Sequence, residues 1–294
     1  MAISQLSFYP DCSTLTNFKA WAQFISNFFT TAGWTAGTDT GQVNWGTIVS
    51  VPTSAGTAVY EIWKSADSGS TACPITIKVE YWSASNIPST FFTVGTGGTD
   101  GAGNLNTPKS PRQALAAYSA DASNLYPCYA SGDSGSMRIV MFDNGSTSYP
   151  GSYQSFGFFV SRDYNTSGVI QANYVQVLWL TGQGGSPVQA SQTIYNATNG
   201  GVTPQDVNTL LAALPFSYNL TAQYGANVLV SPVFPFVGAL GNPNINHFLA
   251  RINDFSDEAV FAMTVYNVSH TYQVWNQHIP WYHSEQVAFI YRWE

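Results

Sequence analysis

Between Thr16 and Trp34 the apolar positions fall at Phe18, Trp21, Ala22, Ile25, Phe28 and Phe29. Gaps of three and four place them on one face of an α-helix. Thr16 or Asn17 is positioned to cap the start of this helix and Gly33 to end it. A face so rich in rings predicts packing across a sheet.

Beyond Trp34 the period changes. As far as about Leu180, short runs of Val, Ile, Tyr, Phe, Trp and Thr alternate with clusters of Gly, Ser, Asp and Asn. The runs are Ala58–Trp63, Ile75–Trp82, Thr90–Val94, Met137–Phe142, Phe156–Arg162 and Tyr174–Leu180. In the second, Ile75, Ile77, Val79 and Tyr81 point one way and Thr76, Lys78, Glu80 and Trp82 the other, the period of a half-buried strand. Ala66–Thr71 and Asp143–Ser146 have the residues of turns. Many short strands joined by turns predict a mainly β fold with a minor α part: antiparallel, β-sandwich-like sheets, the N-terminal amphipathic helix and one further short helix. That second helix is expected over Pro204–Leu214. Thr203 would cap it, Pro204 suits its first turn, Asp206 completes a start resembling a capping box, and Pro215 stops it.

The stretch Gly182–Gly201 is rich in Gly, Ser, Gln and Asn and reads as a linker. We therefore expect a helix-plus-sandwich domain over residues 1–185, a linker over 186–202, and a short helix followed by an aromatic-rich β region over 203–294. No tandem repeat is visible.

Composition narrows the functional classes. Only 9 Lys and Arg and 16 Asp and Glu occur among 294 residues, giving a net charge of −7 and a charged fraction of 9%. Ordinary soluble domains carry about 25%. So few cations argue against binding nucleic acid through phosphates. The 9 Trp, 17 Tyr and 18 Phe argue against a disordered chain. No apolar run reaches the roughly 18 residues of a membrane helix. The longest, Val228 to Leu240, is broken by Pro232 and Pro235. A folded chain of this size exposes roughly 12,000 Å², or about 500 Å² per charged residue. Free soluble domains usually keep more charge against association. We expect a protein packed against copies of itself or other chains.

The opening MAISQLSFYPDCS lacks a basic start and a long apolar core, so no signal peptide is expected. Cys12, Cys73 and Cys128 are unevenly spaced and form no metal-binding pair; they read as buried free thiols. Five N-x-S/T sequons begin at Asn144, Asn165, Asn196, Asn219 and Asn267, the number chance supplies in an Asn/Ser/Thr-rich chain.

Candidate chemistry is sparse. His247, His270, His278 and His283 lie in the last fifth of the chain without metal-ligand spacing, even with Glu285 or Asp257 added. Ser131–Ser136 reads SGDSGS, close to the segment around a serine-protease nucleophile. Every histidine follows Ser134, however, and no strand-to-helix elbow follows. We read Gly132–Gly135 as a hairpin turn. Gly95–Asn104 (GTGGTDGAGN) reads as a loop whose glycines need positive φ, in which Asp100 and Asn104 could hold one ion. Glu61, Glu80, Asp100, Asp163, Asp254, Asp257 and Glu258 show no spacing that selects an acid–base pair. No catalytic residue, metal ligand or cofactor is expected. Trp82, Trp275, Trp281 and Trp293 are the candidate interface or glycan-stacking aromatics.

The order of elements resembles structural proteins of tailed bacteriophages. The pieces that carry the resemblance are FKAWAQFISNFFTTAGW, DTGQVNW, AVYEIWK, CPITIKVEYW and FFTVGTGGTDGAGNL, within Phe18 to Leu105, and FGFFVSRDYNTSG at Phe156 to Gly168. The resemblance implies a β-rich virion component of tail, baseplate, neck or fibre type, with no catalytic centre. Such a protein would be made in the host cytoplasm and assembled as a homo-oligomer with other virion proteins. A capsid cement or decoration protein, and a carbohydrate-binding module that recognises a host surface glycan, are the alternatives.

Overall fold

The computed structural model of the chain describes residues 2–108, 110, 112–116, 125–142, 155–164, 170–181, 193–198, 201–206, 220–224, 226–232, 247–251, 259–265, 268–276 and 287–292. The fold is mainly β, with three antiparallel sheets. In chain order the first elements are β1 (Ala2–Phe8), α1 (Leu15–Thr31), β2 (Thr35–Ala36), β3 (Val59–Lys64), β4 (Thr76–Ala84), β5 (Ile87–Gly95) and β6 (Gln113–Ala116). Next come β7 (Tyr126–Asp133), β8 (Ser136–Phe142), β9 (Ser155–Tyr164), β10 (Ile170–Thr181), β11 (Thr193–Thr198) and β12 (Gly201–Asp206). The last are β13 (Leu220–Tyr224), β14 (Ala226–Pro232), β15 (His247–Arg251), β16 (Val260–Val265), β17 (Val268–Asn276) and β18 (Val287–Arg292).

The five-stranded sheet is a plain meander, β2-β3-β4-β5-β6. The seven-stranded sheet continues as β7-β8-β9-β10-β11-β12, with β1 added beside β7. These two sheets and α1 share one core. Trp21, Ile25 and Phe29 come from the helix, Trp63, Ile77, Val79 and Phe92 from the five-stranded sheet, and Cys128, Ile139, Met141, Phe158 and Val177 from the seven-stranded one. Three ring contacts join the layers. Phe8 stacks on Trp21 at 4.7 Å, Phe29 on Trp63 at 5.0 Å, and Phe92 on Phe158 at 4.3 Å. The sandwich-like packing follows from the alternation in β4, whose Ile77, Val79 and Tyr81 are fully buried inward.

The helix starts two residues before its expected cap. Thr14, not Thr16 or Asn17, accepts from the Asn17 backbone N–H at 3.2 Å. Gly33 ends it as the pattern predicts, at φ +86°. Trp34 N–H then donates to Phe29 C=O at 3.0 Å and Gly33 N–H to Thr30 C=O at 3.1 Å. The Trp34 ring meets Phe29 edge-on at 5.5 Å. This is the Schellman arrangement with its hydrophobic contact. The β4–β5 hairpin closes through Ser85 and Asn86, both at positive φ, as a two-residue turn of primed type requires.

Two expectations meet a different structure. Pro204 and Asp206, assigned above to a helix start, lie in β12, where Pro204 sits opposite Tyr195. A proline is tolerated there because β12 is an edge strand, whose outer N–H groups need no partner. Residues 207–214 of the expected helix lie outside those described. Within the stretch read as a linker, Thr193–Thr198 forms β11 and extends the seven-stranded sheet. The third sheet, in the order β13-β14-β15-β18-β17-β16, bears out the β reading of the last region. Its two edge strands, β13 and β16, come within 8 Å of each other.

Candidate functional site

The polar groups of the two-sheet unit gather at four places. The first is Glu61, in the inward phase of β3 between Val59 and Trp63. Its Oε1 accepts from the Ser26 hydroxyl and the Trp45 indole N–H, each at 2.8 Å. Its Oε2 accepts from the Tyr81 hydroxyl at 2.8 Å and the Trp63 indole N–H at 3.4 Å. A carboxylate offers about four lone-pair sites, so the group is saturated. It ties α1, β3, β4 and the 43–48 loop together and has no free site with which to take a proton from a ligand. Burial first, and the neighbouring Glu61 second, push the Tyr81 phenol well above its ordinary pKa, so it stays a donor. The sequence signal for this node was an acid in phase with inward-facing apolar residues.

The second place joins the sheets. Arg162 of β9 donates from Nη1 to Asp67 Oδ2 at 2.6 Å, from Nε to the Cys73 carbonyl at 2.7 Å and from Nη2 to Ser65 Oγ at 2.9 Å. The β7–β8 hairpin lies over the pair. Ser134 and Gly135 form its tip, since Asp133 is paired with Ser136, and Ser134 C=O accepts from Ala66 N–H at 2.9 Å. The expected hairpin turn is present but shorter than Gly132–Gly135: Ser131–Asp133 end β7, Ser136 begins β8, and only Ser134 and Gly135 turn. Asp133 accepts from Gly135 N–H and the Ser136 hydroxyl. A Cβ on Gly135 would run into Arg162 Nη1 and come 2.5 Å from Asp67 Oδ2, which explains the glycine.

The third is the glycine-rich loop, where Gly98, Gly101 and Gly103 take positive φ as expected. Asp100 is occupied by its own loop. Asn104 Nδ2 donates to it at 2.7 Å, Ala102 N–H at 2.8 Å and Asn104 N–H at 3.1 Å. These donors, the Asn104 side chain foremost, hold the Asp100 pKa below the ordinary value. Asp39 accepts from Gly103 N–H at 3.1 Å, and the Tyr60 hydroxyl donates to Thr40 C=O. With Asn104 turned toward Asp100 as a donor, the two residues named for an ion bind each other.

The fourth is on the outer face of the five-stranded sheet and contains Trp82. Its ring is 7% exposed and stacks on Phe91 at 4.1 Å. The Arg112 guanidinium lies 4.5 Å from the Trp82 ring and 4.2 Å from Phe91, and its Nε contacts Glu80 Oε2 at 2.6 Å. Phe91 and Arg112 were missed in the sequence, and Glu80 was named only as an outward-facing acid, because their partnership depends on strand register. Of the other candidate aromatics, Trp275 lies on β17 opposite Phe289, and Trp281 and Trp293 lie outside the described residues. His247 is on β15 and His270 on β17; His278 and His283 lie outside the described residues. Among the described residues, no three His, Cys, Asp or Glu side chains are grouped to hold a metal ion, and no helix is long and apolar enough to cross a membrane. All three cysteines are free and buried, as expected. Burial, with Asp11 nearby, pushes the Cys12 thiol up to about 12.

A different kind of surface is presented by the first two elements. The outward residues of α1 are Thr16, Ala20, Asn27, Thr30 and Thr31, and Lys19 is the helix's single charged residue. β1 has no charged residue at all. Tyr9, just beyond β1, is 45% exposed. Comparison of the chain with family models, with curated proteins and with solved structures gives no match.

Proposed function

We propose that this chain is a non-enzymatic structural component of a tailed bacteriophage virion, of tail, baseplate, neck or fibre type, that works as a homo-oligomer. One observation carries the reading: β1 and α1 together contain a single charged residue, Lys19. Surface helices of free domains commonly carry several charges and i,i+4 ion pairs. The centres of subunit interfaces are depleted in charge. The segments that resemble phage structural proteins supply α1, β3, β4, β5 and β9, the framework of the shared core. The carboxylates Glu61 and Asp100 are spent on donors of the chain itself, in keeping with a structural role. Trp82 is covered by Phe91 and Arg112, which favours packing over glycan stacking.

The mass in solution tests this. A multiple of 31.8 kDa by light scattering is expected. A 31.8 kDa species throughout the accessible concentration range would overturn the homo-oligomer. Detection of the chain in purified particles, by mass spectrometry, tests its place in the virion.

A further inference from the structure

The free edge of β1 is built differently from the other sheet edges. Within the seven-stranded sheet, β1 pairs with β7 in unbroken register from Ala2↔Gly132 to Phe8↔Tyr126. Among the described residues no strand pairs with its other side. Alternate residues of an antiparallel strand turn their N–H and C=O away from the neighbour, so among the described residues this edge presents a row of backbone groups without a strand partner. Proteins guard such edges with charge, proline, bulges, shortness or a cover. The other edges have these guards. β2 is two residues long. β6 is four residues long and preceded by Arg112. β12 contains Pro204 and Asp206. β13 and β16 approach one another. β1 is seven residues long, AISQLSF, without charge, proline or bulge, and its Gln5 and Ser7 are exposed.

We infer that β1 is a self-association edge: two copies of this chain pair β1 against β1 antiparallel about a two-fold axis at Gln5. The inference rests on the homo-oligomer reading and gives it a geometry. The register follows from the faces of the strand. Ala2, Leu6 and Phe8 lie on the core side. Pairing residue i with residue 10 − i keeps core-side residues beside core-side residues, whereas a one-residue slip would place them beside outward ones. Centring on Gln5 pairs all seven residues: Ala2 with Phe8, Ile3 with Ser7, Ser4 with Leu6, and Gln5 with its own copy. Since no charge lies on the strand, self-pairing brings no like charges together. The exposed Tyr9 ring lies at the end of the seam. The result is one sheet running continuously through two subunits, in the isologous form that a two-fold interface requires.

Gln5→Cys tests the axis. Directly opposed residues in an antiparallel pair have Cα atoms about 4.5 to 5.5 Å apart, within disulfide range. The native thiols are buried and do not compete. Under mild oxidation Gln5→Cys should give a disulfide-linked dimer and the unchanged chain none. Two charge variants provide a second readout. Ile3→Lys/Gln5→Lys/Ser7→Lys and the matching triple-Glu variant each create three like-charge pairs, at about fivefold weakening per pair. Each should raise the dimer dissociation constant on the order of 100-fold, and a 1:1 mixture should recover the dimer. Thermal melts check that each variant remains folded. If the native chain is oligomeric but Gln5→Cys gives no cross-link and both charge variants keep the native mass, the β1 pairing is wrong and the homo-oligomer stands. If the native chain is monomeric, both fall together.

Discussion

Arg162–Asp67 and Arg112–Glu80 have the same 2.6 Å contact in opposite surroundings. The Arg162 side chain is 1% exposed and spends its other donors on Cys73 and Ser65, so it fastens β9 to the β3–β4 connection. The Arg112 side chain is 37% exposed, and its remaining contacts are the faces of two rings. The contact distance therefore says little about what each pair contributes. What decides is the number of groups left without a partner when the arginine is removed, and whether water can replace it.

The largest effect is expected for Arg162→Met, which takes the guanidinium from the Asp67 carboxylate and one donor each from the Cys73 carbonyl and the Ser65 hydroxyl. Loss of one partner of a fully buried pair costs roughly 3–5 kcal/mol, and with Asp67 itself 29% exposed the low end, about 3 kcal/mol, is expected. Urea unfolding should show that loss at low and high salt alike; a loss under 1 kcal/mol, the range of exposed pairs, would remove the contrast. Gly135→Ala comes next, at about 1–3 kcal/mol, because the new methyl group pushes on the same guanidinium. In the Arg162→Met background the penalty should shrink, a coupling that a double-mutant cycle measures. Arg112→Ala should cost about 1 kcal/mol or less and become smaller still in salt. Its clearer sign is a red shift of tryptophan emission as water reaches Trp82.

Asp100 extends the comparison to a carboxylate that, among the described residues, has no cation paired with it. Its pKa is lowered in the folded chain, so its contribution is present above the ordinary carboxylate pKa and is lost as pH falls through the lowered value. On acidification the Ala102 and Asn104 amide resonances should move together and lose exchange protection while the core amides hold. Asp100→Asn should abolish that titration with little effect on global unfolding.

The readable parts of this molecule are those governed by local period and local turn chemistry. Phe18 to Phe29 announces a helix because its spacing matches 3.6 residues per turn, and Ile75 to Trp82 a strand because its spacing matches two. Gly33 and the SGDSGS turn were legible for the same reason. Pro204 misled because a helix start and an edge strand both tolerate a residue without an N–H, and the choice between them was made by β11 beside it. The polar nodes were the least legible. Glu61 and Ser26 lie 35 residues apart, and Arg162 and Asp67 lie 95 apart, so no spacing in the chain could join them. Trp82 was named as an interface or glycan-stacking aromatic, but within the chain it is covered by Phe91 and by Arg112, which comes from beyond the glycine-rich loop.

The place of β1 in its sheet has a consequence for synthesis. The five-stranded meander can assemble as it emerges, because each strand pairs with the one before it. Ala2 must wait for Gly132. At typical elongation rates that delay is on the order of 10 s. Throughout it β1 waits without its β7 partner beside an otherwise closing domain. On the proposed β1–β1 pairing, neighbouring nascent chains on one message would hold such strands at high local concentration, and the order of translation would favour meeting a sister chain early.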